Sequence, residues 1–209
     1  MAHALIVDTE TSGLFDYTKG AHEPGQPYMA SIAAKLLDGG GAQVAAMHRL
    51  IKPTEEWGER AIAEAKEGLG AFKINNLSYD QLMAEGVPVK QALAEYDDLT
   101  NACDGIAAFN VSYDQKVIRG AYRRASMPDR YGERPTYCVM RGSGELLKLE
   151  GIKLGKVPNL REAVEYLLGK DHLNAHNAED DLNVTVDLYR LLLAKGLVAW
   201  KPQVSKLKE

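Results

Sequence analysis

Three apolar residues, Leu5-Ile6-Val7, run without a break into Asp8-Thr9-Glu10. A short apolar run of this kind reads as a buried strand. Side chains two apart on a strand point to the same face. Asp8 and Glu10 therefore emerge side by side where a buried strand ends, and ligand sites in α/β sheets gather at such carboxyl ends. An Asp-x-Glu tripeptide is common, however, and a solvated strand end with two surface acids explains it equally well taken alone.

The rest of the chain supplies the frame. A polar stretch with Gly and Pro spans 12–27. Residues 28–37 and 43–51 read as strands joined by Gly39-Gly40-Gly41, a hairpin signal, with Pro53 closing the second. Residues 55–102 are largely helical in pattern, broken near Asn75-Asn76 and at Gly86. Then come a strand at 106–109, a helix at 112–125, a short strand at 136–139 and helices at 160–168 and 178–195. That order predicts an α/β layout with a mixed sheet. The 209 residues suit a single domain, placed at 1–200, followed by a short basic tail at 201–209 with Lys201, Lys206 and Lys208.

Two more acids stand out by helical spacing. Asp114 heads a row with Val117, Ile118, Ala121 and Ala125, so it faces the core. In Glu179-Asp180-Asp181, Asp181 shares its row with Thr185, Leu188 and Leu192, whereas Asp180 shares a polar row with Asn183 and Asp187. Acids in a first helical turn complement the helix dipole, which explains their presence but not why each heads an apolar stripe. Burying an unpaired carboxylate is expensive, and neighbouring carboxylates raise one another's pKa. A divalent cation removes the conflict, and oxygen-only ligands point to Mg²⁺ or Mn²⁺ rather than Zn²⁺. His176 precedes Asp181 by five residues, in a loop from which it can reach the acids and take a proton from water. His3, His22, His48 and His172 read as surface residues.

Composition narrows the function. The net charge of −4 argues against a coating or architectural nucleic-acid binder, which is usually basic. It does not argue against an enzyme whose acids hold metal ions, because a bound cation reverses the local sign. No apolar run has the length of a membrane span. Met1-Ala2-His3-Ala4 lacks the features of a signal peptide, so the expected location is the cytoplasm or an equivalent reducing compartment. Cys103 and Cys138 fit no zinc pattern and read as two buried thiols, with a disulfide as the alternative. Lys116, Arg119, Arg123 and Arg124 form a strip on the helix of Asp114, which either tracks phosphates or is a solvated helix face.

Together these pieces resemble the DEDDh 3′→5′ exonucleases, the DnaQ-like family of the ribonuclease H-like superfamily. Asp8-Thr9-Glu10-Thr11-Ser12-Gly13-Leu14 resembles the first family motif. Asn110-Val111-Ser112-Tyr113-Asp114 resembles the second, and His176 through Asp181 the third. The resemblance runs over 4–193. It implies an α/β fold of ribonuclease H-like type, a mixed five-stranded sheet flanked by helices. It implies metal-dependent hydrolysis of phosphodiester bonds at the 3′ end of single-stranded nucleic acid, DNA favoured over RNA, releasing nucleoside monophosphates. Two divalent ions, Mg²⁺ or Mn²⁺, are implied. Asp8, Glu10 and Asp181 would hold one, and Asp8 with Asp114 would help hold the second. His176 would be the general base.

By the same resemblance, Thr11, Gly13 and Leu14 would hold the terminal nucleotide, with Leu14 against a base, and Asn110 and Tyr113 would add substrate contacts. A core position is the equal alternative for Leu14, and core packing is the favoured reading of Phe109. The partners implied are a single-stranded DNA or RNA 3′ end and a polymerase or other repair protein, with no membrane. Two alternatives stay open: an RNA-directed 3′ exonuclease like the oligoribonuclease and ribonuclease T branches, and a catalytically silent interaction module. The sequence also departs from the family pattern. Phe109 replaces a common His, Asn75-Asn76 replaces His-Gly, and 15–27 reads as an insertion beside the site. These departures bear on substrate choice and leave the acids intact.

Overall fold

The computed structural model of the chain describes residues 3–129, 131–171 and 178–201. Its sheet has five strands: β1 (Ala4–Thr11), β2 (Met29–Leu37), β3 (Gln43–Leu50), β4 (Gly105–Ala108) and β5 (Thr136–Cys138). The spatial order is β3-β2-β1-β4-β5. β1 pairs antiparallel with β2 and parallel with β4, and β4 pairs parallel with β5. The mixed sheet expected from the sequence is therefore present, with β1 at its centre.

Being central explains the apolar run. Leu5 and Val7 enter one core cluster with Ile32, Tyr96 and Val117. Ala4 and Ile6 enter a second, on the opposite face, with Leu37, Leu182 and Leu188. A strand buried on both faces must be apolar at every position. The alternation then carries on into the polar part of the strand. Asp8 and Glu10 follow Ile6 on one face, while Thr9 follows Val7 on the other. The pairing with β2 slips between Glu10 and Thr11, a bulge that turns the strand end where the acids emerge.

Eight α-helices are present among the described residues. α1 (Gly58–Glu67), α2 (Ala71–Asn75), α3 (Tyr79–Glu85) and α4 (Val89–Asn101) fill the span read as helical. The breaks at Asn76 and Gly86 are as expected, and Gly68 adds one more, ending α1 in the left-handed conformation with φ of 64°. Asn76 itself adopts φ of 56°, a conformation open to Gly and tolerated by Asn. α5 (Val111–Arg124) follows β4, α7 is Leu160–Leu168 and α8 is Ala178–Ala194. Residues 202–209 of the expected tail lie outside the described residues. Lys201 exchanges both backbone hydrogen bonds with Thr136 of β5, at 2.8 and 2.9 Å.

α6 (Val139–Leu149) was not legible in the sequence. Gly142-Ser143-Gly144 lowers its intrinsic helicity. Packing requires one of those glycines. A β-carbon on Gly142 would sit 2.0 Å from the Tyr137 hydroxyl and 3.1 Å from Leu192. Gly142→Ala is therefore expected to destabilise the protein by about 1–3 kcal/mol, the usual cost of overpacking, in a denaturant melt. Gly144→Ala, whose β-carbon would meet Pro158 at 3.3 Å, should cost less.

Candidate active site

The fold brings acids from β1, α5 and α8 to the carboxyl ends of the parallel strands β1 and β4. Asp8, Glu10 and Asp181 each offer an oxygen within 4.8 Å of the others. Asp8 and Glu10 are partly exposed and Asp181 is buried. Asp114 stands outside that set of three. It enters from the α5 side of the sheet and is 4% exposed. The Thr9 hydroxyl donates to its Oδ1 at 2.9 Å. Alternation along β1 thus divides the labour, with Asp8 and Glu10 facing α8 and Thr9 tying down the acid of α5. Val117, Ile118, Ala121, Thr185, Leu188 and Leu192 are all buried, so both stripes face inward as their spacing requires. Asp180 is half-buried and does not join the cluster.

Electrostatics records the crowding. Burial, then the charges of Asp114, Glu10 and Asp181, push the Asp8 carboxyl well above its ordinary range. Burial, then Asp181 and Asp114, raise Glu10 to about 7, against a hydrogen bond from Asn75 that lowers it. Burial raises Asp114 to about 7, against the Thr9 hydrogen bond. Such groups can all ionise near neutral pH only with positive charge among them. Oxygen donors alone suit a hard divalent ion, so the donor set fits the metal site that the resemblance implies.

The remaining predicted positions that are described lie on the end of β1, the turn after it and the start of α5. Thr11 is buried and its hydroxyl lies 2.8 Å from that of Tyr113 and 2.7 Å from the Gly13 carbonyl. Phe15 packs edge-on to the Tyr113 ring, with centroids 5.7 Å apart. Tyr113 is thus braced against the turn at 11–13. Leu14, next in the chain, is 89% exposed, which rules out the core reading. Asn110 stands at the N-cap position of α5 without a side-chain bond to the helix backbone and accepts from the Ser112 hydroxyl at 3.0 Å. Phe109 packs against the α8-side core. His176 lies outside the described residues. Asn75, noted in the sequence only as a departure, lies against the acids of β1. It is 4% exposed, bonds Glu10 and donates to the Thr11 carbonyl at 3.2 Å. His48, read as a surface residue, sits 3.4 Å from Glu179 at the start of α8. Cys103 is a buried free thiol, but Cys138, expected buried, is half-buried because it ends the short edge strand β5.

The basic strip is not a freely solvated helix face. The segment 15–27 folds back over α5, and three of the four cations hold it. Arg124 donates to the carbonyls of Ala21 and Pro27, both at 3.1 Å, and stacks 4.5 Å from the Tyr28 ring. Lys116 lies 3.9 Å from the Tyr17 ring and Arg123 3.4 Å from His22. Arg119 pairs with Asp129. Gly120 permits the close approach, since a β-carbon there would be 2.5 Å from the Ala21 carbonyl oxygen. Inside the segment, the Gln26 amide bonds the backbone of Asp16, Lys19 and Gly20.

No family model and no curated protein sequence matches the chain. Solved structures do. Exonuclease I superposes with a TM-score of 0.70 at 21% identity, over 94% of this chain and 42% of its own. A zinc-bound complex of E. coli exonuclease I with single-stranded DNA gives 0.69 at 20% identity, over 93% and 41%. A 3′-exonuclease that recognises the histone mRNA stem-loop gives 0.67 at 13% identity, over 94% and 83%. The fold is ribonuclease H-like. The chain spans less than half the length of the exonuclease I chains it matches.

Two outcomes follow. Glu10 and Asp114 have folded pKa values near 7, above their ordinary 4.5 and 3.8. The folded state therefore holds those protons more tightly, and the stability they contribute is complete at low pH and lost as pH rises through about 7. The metal-free protein should melt at a lower temperature at about pH 8 than at about pH 5, Asp114→Asn should flatten that dependence, and Mg²⁺ should restore the loss at the higher pH. In the clasp, Arg124→Ala should cost about 1–3 kcal/mol in a denaturant melt. Gly120→Ala should make 15–27 more accessible to limited proteolysis.

Proposed function

We propose that the protein is a metal-dependent 3′→5′ exonuclease acting on single-stranded nucleic acid, DNA in preference to RNA, and releasing nucleoside monophosphates. The observation that carries this reading is the meeting of Asp8, Glu10 and Asp181 within 4.8 Å, with buried Asp114 beside them. The structural neighbours support it. They include E. coli exonuclease I bound to a dT13 oligonucleotide and the histone mRNA 3′-exonuclease.

In this reading Asp8, Glu10 and Asp181 hold one Mg²⁺ or Mn²⁺ ion, and Asp8 with Asp114 helps to hold a second. When bound, such ions activate water and stabilise the charge that develops on the leaving oxygen. The protein's own contribution is position. Thr9 fixes the Asp114 carboxylate and Asn75 steadies Glu10. Tyr113, Thr11 and Gly13 form one braced unit that presents Leu14 to the terminal base. Asn110 sets the start of α5. His176, five residues before Asp181, accepts the proton of the attacking water. The two cysteines, both free thiols, accord with a reducing compartment such as the cytoplasm.

RNA as the substrate is the second reading, favoured by the likeness to the histone mRNA enzyme. The discriminating contact is to a single 2′-hydroxyl. Strands of DNA and RNA labelled at the 5′ end, incubated with Mg²⁺, Mn²⁺ or chelator, test both. Stepwise shortening from the 3′ end, released mononucleotides and loss of activity with chelator are expected. Strands that bind but never shorten in any divalent metal would reject the enzyme reading. Asp8→Ala or Asp114→Ala should lower turnover by about 10³-fold or more while the protein still folds. Near-normal cleavage by either variant would remove that residue from the metal site.

A further inference from the structure

The chain is acidic overall, yet cations crowd one groove. It has a volume of about 780 Å³ and lies between α6 and the loop leading to α7. Arg141, Lys148, Lys153 and Lys156 line it against one acid, Glu145. All four cations are exposed. Lys156 pairs with Glu162 at 2.9 Å. The side chains of Arg141, Lys148 and Lys153 form no ion pair or hydrogen bond among the described residues. They differ in this from the cations of α5, each of which is committed to a group of the chain itself. Apolar side chains, among them Leu147, Ile152 and Val157, complete the lining.

The groove also adjoins a depression that reaches the start of α5. A smaller depression of about 170 Å³ is lined at one end by Val111 and Ser112, in the first turn of α5 that carries Tyr113 and Asp114. At its other end it is lined by Arg141 and Glu145, which also line the larger groove. The two depressions thus share a wall along α6 and together mark a path from the first turn of α5 to the exposed cations.

We propose that this path binds the substrate strand upstream of its 3′ end, with backbone phosphates on Arg141, Lys148 and Lys153 and unpaired bases against the apolar lining. The proposal rests on the exonuclease reading for the position of the 3′ terminus. Phosphate contacts of this kind position a strand without reading its sequence. A single strand fits better than a duplex, because only unpaired bases can offer their faces to an apolar surface. An acidic peptide shares the charge, but nothing about a peptide requires a path that runs to the first turn of α5.

The test replaces Arg141, Lys148 and Lys153 together by Ala in the full chain. Binding of a fluorescent single strand of about twenty nucleotides is measured in chelator, so that cleavage plays no part. Affinity should fall roughly tenfold to a hundredfold, and the slope of log affinity against log salt should flatten by about 2, near 0.7 for each lost phosphate contact. With metal, KM for that strand should rise in step. A dinucleotide, too short to reach the groove, should be cleaved with unchanged KM and kcat, which also reports an intact fold. Unchanged affinity and salt slope, or equal losses on long and short substrates, overturn the proposal. If the wild-type protein never cleaves but the variant still loses strand binding, the exonuclease reading falls and the groove stands.

Discussion

Repulsion among carboxylates at the end of β1 is the constraint around which this molecule is arranged. Asp8, Glu10 and Asp181 are held within 4.8 Å of one another, with Asp114 buried alongside. Crowding of this kind opposes folding whenever the groups are ionised. It persists because the surrounding structure is rigid. The acids sit on a strand buried on both faces and in the first turns of two helices whose apolar rows are packed beneath them. A divalent cation held there would convert the repulsion into binding energy, and proteins commonly tolerate strain at functional sites in this way.

The supporting residues show how the sheet serves this end. Thr9 lies between the two acids of β1 in sequence and points to the other face, where it bonds Asp114. One strand therefore positions acids on both sides of itself. Asn75 ends α2, the five-residue helix Ala71–Asn75, and from there reaches Glu10 and the Thr11 backbone. The positive φ of Asn76 then turns the chain away. The Asn-Asn pair thus meets two separate demands, a polar donor toward the acids and a left-handed turn after it.

Much of this was legible in the sequence because it depends on period. The two-residue spacing of Asp8 and Glu10 and the helical rows below Asp114 and Asp181 follow from local geometry that every strand and helix obeys. Less legible were features set by tertiary contact. α6 has two glycines that weaken a helical signal, and only Tyr137 and Leu192, packed against Gly142, reveal why one is there. The strip of Lys116, Arg119, Arg123 and Arg124 shows its spacing but not its partners, which come from a segment about a hundred residues earlier and from Asp129. Asn75 carries no charge or periodicity to mark it. Its role is visible only once α2 is laid beside β1.

The clasp on the 15–27 segment has an evolutionary corollary. Arg124 holds main-chain oxygens, of Ala21 and Pro27, and Gly120 accommodates a main-chain oxygen as well. Neither reads the identity of the residues it secures. An exposed position such as Pro24 can therefore drift while the segment keeps its place, so that its outer surface can change by substitution without loosening its hold on α5.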